Sequence, residues 1–293
     1  MMKTLVDKAN VLIEAMPYIQ AFRGEAVVIK FGGSAMEDPA CFDSILTDVA
    51  FMECVGLRPV VVHGGGKAIS RRMAEKGLKP AFVGGRRVTD SDTIRLVEEV
   101  LNHEVNVEIV ETLVKRGAHA TGLHGPSLLR AEKLAFTDSQ TGQSVDLGFV
   151  GRIVSVDQGP ILACQHGEMI PVITPLARDA GGQVFNINAD ESAAAIAKAV
   201  KARKLVFISD VPGLMKDPQD PQSVISTLYH AEVEALIRNG TIAGGMLPKI
   251  QGALDALTAG VKKVHIVDGH LPHSLLLEIF TDKGIGTEIV HND

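Results

Sequence analysis

Short, uninterrupted apolar runs alternate along this chain with segments of helical periodicity, and that alternation narrows the fold more than any other feature. Ala26–Phe31, Pro59–Val62, Met169–Thr174, Leu205–Ser209 and Val264–Val267 are largely apolar at consecutive positions. A half-buried strand would alternate apolar with polar residues; near-continuous runs fit strands covered on both faces, as in parallel sheets. Asp38-Pro39 supplies a cap and a proline at the first helical position for a helix reaching Gly56. Further helices are expected up to Gly77, from Asp90 to about Arg116, and over 189–200, 232–238, 248–259 and 274–280. Residues 118–156 read as short strands and hairpins, and Ile285–Val290 as a last strand. The expected fold is α/β: a three-layer α/β/α sandwich around a largely parallel central sheet.

Gly181-Gly182 marks a boundary between two expected lobes, residues 25–180 and 181–293. Ahead of them, in residues 1–24, Leu5, Ala9, Leu12, Ile13 and Met16 recur at steps of three and four, one apolar stripe on a helix that Pro17 should end or kink. The stripe must pack on its own chain or on a partner subunit.

With 293 residues, 46% of them hydrophobic, the chain can bury a full core. Its net charge of -6 gives no support to nucleic acid or an anionic membrane as partner. Cys41, Cys54 and Cys164 are odd in number and lack metal spacing, so reduced thiols are expected rather than a disulfide framework. No apolar run is long enough to span a bilayer, and Lys3, Asp7, Lys8, Asn10 and Glu14 interrupt any secretory h-region. The expected location is cytoplasmic.

Five segments carry the chemistry. VVIKFGG ends a buried strand on Lys30, with Gly32 and Gly33 beyond it; VVVHGGGK places Gly64, Gly65 and Gly66 after the next strand. Glycines there let backbone N–H groups approach a phosphate, and the helix N-terminus that follows adds partial positive charge. Neither turn is a Walker A loop or a G-x-G-x-x-G fingerprint, which disfavours a dinucleotide-dependent oxidoreductase. A single such turn fits a tight connection; two in succession, beside a lysine that ends an apolar strand and needs an anion, favour a phosphoryl ligand. FNINAD sends the Asn186 and Asn188 amides the same way from an extended segment, with Asp190 opening a helix as either cap or functional carboxylate. ISDVPGL ends a strand on Ser209-Asp210, and GGMLPK leads from Gly244-Gly245 to Lys249, which alone would be a solvated surface lysine.

Taken together with GRRVTD, these motifs resemble the amino acid kinase family, in its order and over nearly the whole chain. The resemblance is to the branch that acts on N-acetyl-L-glutamate in arginine biosynthesis. It implies ATP-dependent phosphorylation of the substrate's γ-carboxylate, with Lys30 and Lys249 stabilising the transferring phosphoryl group and Asp190 holding both. It further implies substrate contacts from Gly65, Gly66, Arg87, Asn186 and Asn188. The nucleotide would lie against Gly32, Gly33, Ser209, Asp210, Val211, Gly213 and Leu214. Mg2+ is expected only as the ATP counterion, with no protein-held metal and no tightly bound cofactor. The nucleophile would be a carboxylate of unperturbed pKa about 4.3, ionised without a general base. Two departures stand out: Arg86 occupies a commonly apolar position, and Gly122–Pro126 lacks the usual Lys-Asp-Gly, leaving acyl-group recognition and the choice between Arg86 and Arg87 open. His63 and His124 are expected in packing or loop roles.

The resemblance extends to the arginine-inhibited branch, through the N-terminal helix and HSLLLEIFTDKGIGT. It implies an arginine site at Tyr18, His265, Glu278 and Gly284, near Arg23, and a homo-oligomer: a dimer of the core joined into a hexamer by the N-terminal helix. Open alternatives are a kinase for an aminoadipate derivative or aspartate, and a non-catalytic amino acid or nucleotide sensor. The joint presence of Lys30, Asp190 and Lys249 speaks against the sensor.

Overall fold

A computed structural model describes residues 2–137, 142–217, 219–244, 246–281 and 284–291. Gly245, expected in the turn before Lys249, lies outside the described residues, as do Asp282 and Lys283 of the C-terminal segment.

The middle layer is an eight-stranded sheet: β1 (Ala26–Phe31), β2 (Arg58–His63), β3 (Ala120–Leu123), β4 (Ile170–Ile173), β5 (Lys204–Ser209), β6 (Thr227–Tyr229), β7 (Lys263–Asp268) and β8 (Thr287–Val290). The spatial order is β6-β8-β7-β5-β1-β2-β4-β3. From β7 to β3 every pairing is parallel; β8 pairs antiparallel to β7 and parallel to β6. Since β2 lies on one side of β1 and β5 on the other, the winding reverses at β1. Ligands collect at the carboxyl ends of strands beside such a reversal.

Residue alternation along β1 explains the layers. Val27, Ile29 and Phe31 pack into a core with Ile45, Leu46 and Val49 of α2 (Pro39–Cys54), Val97 of α4 (Ser91–Val100) and Ile109 of α5 (Asn106–Lys115). Val28 faces the opposite core, with Ala193 and Ile196 of α6 (Ala189–Ala199) and Ile250 and Ala253 of α7 (Met246–Thr258). Burying each such side chain stabilises by about 1.5–3 kcal/mol, and a one-residue slip would exchange the two faces. Lys30 shares the face of Val28, so its side chain is sent toward α6 and α7.

Asp38 caps α2 by accepting from the Ala40 and Cys41 N–H groups, at 2.8 and 3.2 Å, with Pro39 at the first position. The helix α1 (Met2–Phe22) continues through Pro17 to Phe22 instead of ending there. Pro17 removes one donor, while Phe22 packs against the core and anchors the last turn. Val6, Val11, Leu12, Ile13 and Met16 of α1 are 49–70% exposed on this chain. A four-stranded sheet (Val184–Asn186, Leu176–Arg178, Leu129–Lys133, Gly151–Val156) and a hairpin of Phe82–Val83 with Arg86–Arg87 complete the walls around the site. Among the described residues no helix is long and apolar enough to cross a membrane.

Candidate active site

Both glycine turns sit at the carboxyl ends of adjacent strands and touch. Gly64 N–H donates to Phe31 O at 2.7 Å, and a Cβ on Gly32 would lie 3.1 Å from the Gly64 Cα. So close an approach favours glycine at both positions, since a Cβ at either would push the two turns apart, and it places two sets of backbone amides side by side. The helix α3 (Gly66–Glu75) starts from the second turn and directs its N-terminus at the same opening.

His63 and a helical irregularity support that turn from below. Between α4 and α5, Leu101–Val105 forms one π-helical turn, which brings buried Asn106 to the sheet. Asn106 Nδ2 donates to Val172 O at 2.9 Å and lies 3.2 Å from His63 Nε2, while His63 Nδ1 lies 2.7 Å from Gly64 O. A carbonyl can only accept, so Nδ1 carries the proton and Nε2 accepts from Asn106. The ring is therefore neutral, and burial pushes its pKa down to about 4 against a smaller opposing effect of the Gly64 bond. His63 fixes the turn. It does not reach the cleft.

Lys30, Asp190 and Lys249 converge, although they are far apart in sequence. Lys30 Nζ lies 2.8 Å from Asp190 Oδ1 and Lys249 Nζ 2.9 Å from Oδ2, with the three side chains only 10–15% exposed. Asp190 is not the cap of α6. Asn188 is: its Oδ1 accepts from the Asp190 and Glu191 N–H groups at 2.8 and 3.2 Å, leaving the Asp190 carboxylate free for the lysines. Burial alone would raise the Asp190 pKa, but the two ammonium groups outweigh it and hold the carboxyl below its ordinary value. Lys249 is lowered, first by burial and then by the charge of Lys30. The cluster carries net charge +1 in a largely dry setting, a disposition suited to an anion.

Two adjoining cavities open beside this cluster. One, of about 380 Å3, is bounded by Lys30, Gly32, Gly33, the Gly64–Gly66 turn, Arg87 and Asp190. The other, of about 170 Å3, shares that turn and Arg87 and is closed by Arg86, Asn186 and Asn188 with an apolar wall that includes Leu101, Val150 and Ile187. Arg87 is buried, donates through Nη2 to Gly66 O (2.7 Å) and Ser70 Oγ (2.8 Å), and stacks on Phe82 with the guanidinium carbon 4.8 Å from the ring centroid. Burial lowers its pKa, although arginine stays charged. Asn186 Nδ2 donates to Thr89 Oγ1 at 3.3 Å.

The segment expected to hold nucleotide follows β5, beside β1. Ser34 Oγ donates to Asp210 Oδ1 at 2.5 Å, and the Asp210 carboxylate packs on Gly33, which has φ +66°. Leu214 N–H donates to Thr287 Oγ1 at 2.8 Å, and a Cβ on Gly213 would come within 2.6 Å of that oxygen. Ser209 and Val211 are half-buried between these contacts.

At the other edge, His265 Nδ1 lies 2.6 Å from Glu278 Oε1, and Glu278 Oε2 accepts from Ile285 and Gly286 N–H at 2.7 and 3.0 Å. Glu278 is thus buried and engaged, not an exposed helix glutamate. Burial would raise its pKa, but His265 and the two amides lower it on balance. Gly284, at φ +59°, passes against the carboxylate, where a Cβ would lie 2.7 Å from Oε2. Tyr18 stands on α1, whose last residue, Phe22, lies 4.8 Å from the Lys204 ammonium. Sequence reasoning missed Ser70 and Phe82, which no motif marks, and Glu191, which directly follows Asp190 in the Asn186–Asp190 segment without a role of its own.

The chain belongs to the amino acid kinase family, whose model matches residues 25–268. It is an enzyme of that family, a kinase. Its relatives include acetylglutamate kinases: that of Akkermansia muciniphila is 45% identical over 98% of this chain and 96% of its own length, and that of Symbiobacterium thermophilum 47% identical over 97% and 98%. Among solved structures, N-acetylglutamate synthase from Neisseria gonorrhoeae complexed with coenzyme A and N-acetyl-glutamate matches at TM-score 0.83 and 26% identity. That match covers 96% of this chain and 63% of the synthase, so the chain spans less than two thirds of the synthase's length. Carbamate kinase from Giardia lamblia bound to citric acid, at TM-score 0.66 and 15% identity over 92% and 99% of the two chains, shares the fold alone.

Proposed function

We propose that this kinase transfers the γ-phosphoryl group of ATP to the γ-carboxylate of N-acetyl-L-glutamate, giving N-acetyl-L-glutamyl 5-phosphate and ADP in arginine biosynthesis. The observation that carries the reading is the convergence of the Lys30 and Lys249 ammonium groups on Asp190, beside two glycine turns. A carboxylate nucleophile is ionised at neutral pH, so no base is required. What the reaction needs is alignment and neutralisation of the charge spread over the transferring group. Lys30 and Lys249 supply the positive charge, and the Gly65–Gly66 amides hold substrate. Arg87 binds its α-carboxylate, with Asn186 and Asn188 alongside. ATP, with Mg2+ as its counterion, lies against Gly32, Gly33, Ser209, Asp210, Val211, Gly213 and Leu214. On this reading residues 25–180 form the amino acid lobe, with Gly32 and Gly33 reaching the nucleotide, and residues 181–293 the nucleotide lobe, with Asn186 and Asn188 reaching the substrate. The dominance of acetylglutamate kinases among relatives 43–47% identical supports the choice of substrate.

The same reading makes arginine a feedback inhibitor bound at Tyr18, His265, Glu278 and Gly284, in a hexamer of core dimers joined by α1. Support comes from the exposed apolar residues of α1 and from the buried, unpartnered Nε2 of His265.

A panel of N-acetyl-L-glutamate, an N-acyl aminoadipate and aspartate, with hydroxylamine trapping of acyl phosphate, tests the substrate. Lys30→Ala and Lys249→Ala should each lower turnover by about 10²- to 10³-fold while the fold survives. Near-normal turnover in both sinks the roles assigned to the lysines. Unchanged activity in millimolar arginine sinks the inhibition alone.

A further inference from the structure

We infer that Arg86 is a second substrate-binding arginine, whose Nη1 donates to an acceptor oxygen at the α end of the substrate. The inference rests on the proposed reaction, because it assigns the two cavities to the two ends of one acyl amino acid.

The hairpin geometry separates the two neighbouring arginines. Phe82 pairs with Arg87 and Val83 with Arg86, across a turn in which Gly84 and Gly85 both have positive φ. Successive residues of a strand project to opposite faces. Arg87 therefore reaches α3, whereas Arg86 reaches α6, where its Nη2 makes an ion pair with Glu191. Phe136 lies beside the guanidinium, whose carbon is 5.9 Å from the ring centroid. The Arg86 side chain is only 17% exposed, and both its pairing and its packing hold the planar group in one orientation.

That orientation leaves one donor without a partner. Nη1 is buried and donates to nothing. Of the buried, unpartnered side-chain nitrogens and oxygens among the described residues, it is the one whose residue lines the 170 Å3 cavity. A guanidinium N–H that lacks an acceptor calls for one, and a ligand oxygen supplies it where binding opens the side of the cavity that now shields Nη1 from water. The cavity's lining includes Leu101, Val150 and Ile187 and, among the described residues, no carboxylate, so none on that wall competes for the donor.

Position fixes which end of the substrate it meets. Lys30 and Asp190 bound the larger cavity, and Arg86 does not; Arg87 bounds both. With the phosphorylated carboxylate at the lysines, Arg86 lies at the opposite end, among the substituents of the α-carbon. Two oxygens qualify there, one of the α-carboxylate and that of the acyl carbonyl. Both are acceptors of the same chemistry.

The test uses the full-length enzyme with Arg86→Met, Arg86→Lys and Glu191→Gln, measuring KM for N-acetyl-L-glutamate, KM for ATP and melting temperature. Arg86→Met should raise KM for the acyl amino acid by about 10- to 100-fold, as loss of a charge-assisted contact does, with KM for ATP and melting temperature unchanged. Arg86→Lys, which keeps the charge but not the fork, should fall between. Glu191→Gln should raise the same KM by less than Arg86→Met, since the donor survives but its orientation loosens. The two oxygens are separated with the α-amide of N-acetyl-L-glutamate. If the α-carboxylate is the acceptor, the losses from Arg86→Met and from the amide do not add; if the acyl oxygen is, they do. A KM for N-acetyl-L-glutamate within twofold of wild type in Arg86→Met overturns the inference, as does a parallel rise in KM for ATP, which marks a merely structural clasp. Wild-type enzyme inactive on N-acetyl-L-glutamate overturns instead the reaction on which the inference rests.

Discussion

Replacing Asp190 by asparagine keeps the shape of the side chain and removes the one negative charge between two ammonium groups. In the native protein its oxygens stand 2.8 Å from Lys30 Nζ and 2.9 Å from Lys249 Nζ, with all three side chains nearly excluded from water. Taking one partner out of a buried ion pair typically costs about 3–5 kcal/mol, since the charge left behind is uncompensated. Asp190→Asn leaves two such charges facing each other. The site can relieve them by releasing a proton from Lys249, whose pKa burial and the charge of Lys30 already lower. The variant should thus lose about 3 kcal/mol or more by urea unfolding, and its turnover should fall at least 10²-fold at neutral pH. Its residual rate should also acquire a pH dependence. With a cationic Lys249 as the active form, turnover rises as pH falls through the further lowered lysine pKa. Coupled ADP release measured from about pH 6 to 9, beside urea curves at the same pH values, reads both effects. Turnover within tenfold of wild type together with unfolding free energy within about 1 kcal/mol refutes the reasoning, because the charges would then be solvated and not coupled.

His63 offers a second measurement. Its folded-state pKa of about 4 lies below the ordinary 6.5, so the unfolded chain binds more protons between those values and stability falls as pH drops across that window. About 2.5 units correspond to about 3 kcal/mol, and His63→Gln should flatten that part of the urea-stability profile. Glu278→Gln replaces the charged acceptor of bonds from His265, Ile285 and Gly286 and should cost about 1.5–3 kcal/mol by urea unfolding at neutral pH. The Glu278 pKa is lowered, so that contribution is present above its ordinary value of 4.5 and is lost as pH falls through the folded value; the variant and wild type should converge there.

The elements legible in the sequence were those set by local chemistry. Ala26–Phe31 is the strand observed, since its apolar run is buried on both faces, and Asp38-Pro39 opens α2 because cap and proline act within three residues. Local reasoning weakened where two residues compete for one role. Asn188 and Asp190 are both good caps, and only the fold, by bringing two lysines to Asp190, assigns the cap to Asn188. Pro17 shows the opposite case, a breaking signal overridden because the core holds Phe22 on the far side.

What stayed illegible depends on pairings across long stretches of chain. The partner of Arg86 lies 105 positions away and that of His63 lies 43 away; Asn106 belongs to no motif, and Glu191, although next to Asp190, carries no mark of its pairing. The π-helical turn that delivers Asn106 leaves no mark in an apolar period that reads as one continuous helix. These two partners share one physical task with Asp190, which the FNINAD motif already marks. Asn106 holds His63 neutral beneath the glycine turn, Asp190 holds two cations together, and Glu191 holds a guanidinium with one donor free. In each, a polar or charged group at or beneath the proposed site is held in place by folding, and fixed charges and dipoles stabilise developing charge without having to reorient. The motifs give the groups proposed to meet the ligand. Of the residues that orient them, Asp190 belongs to a motif itself, whereas Asn106 comes from elsewhere in the chain.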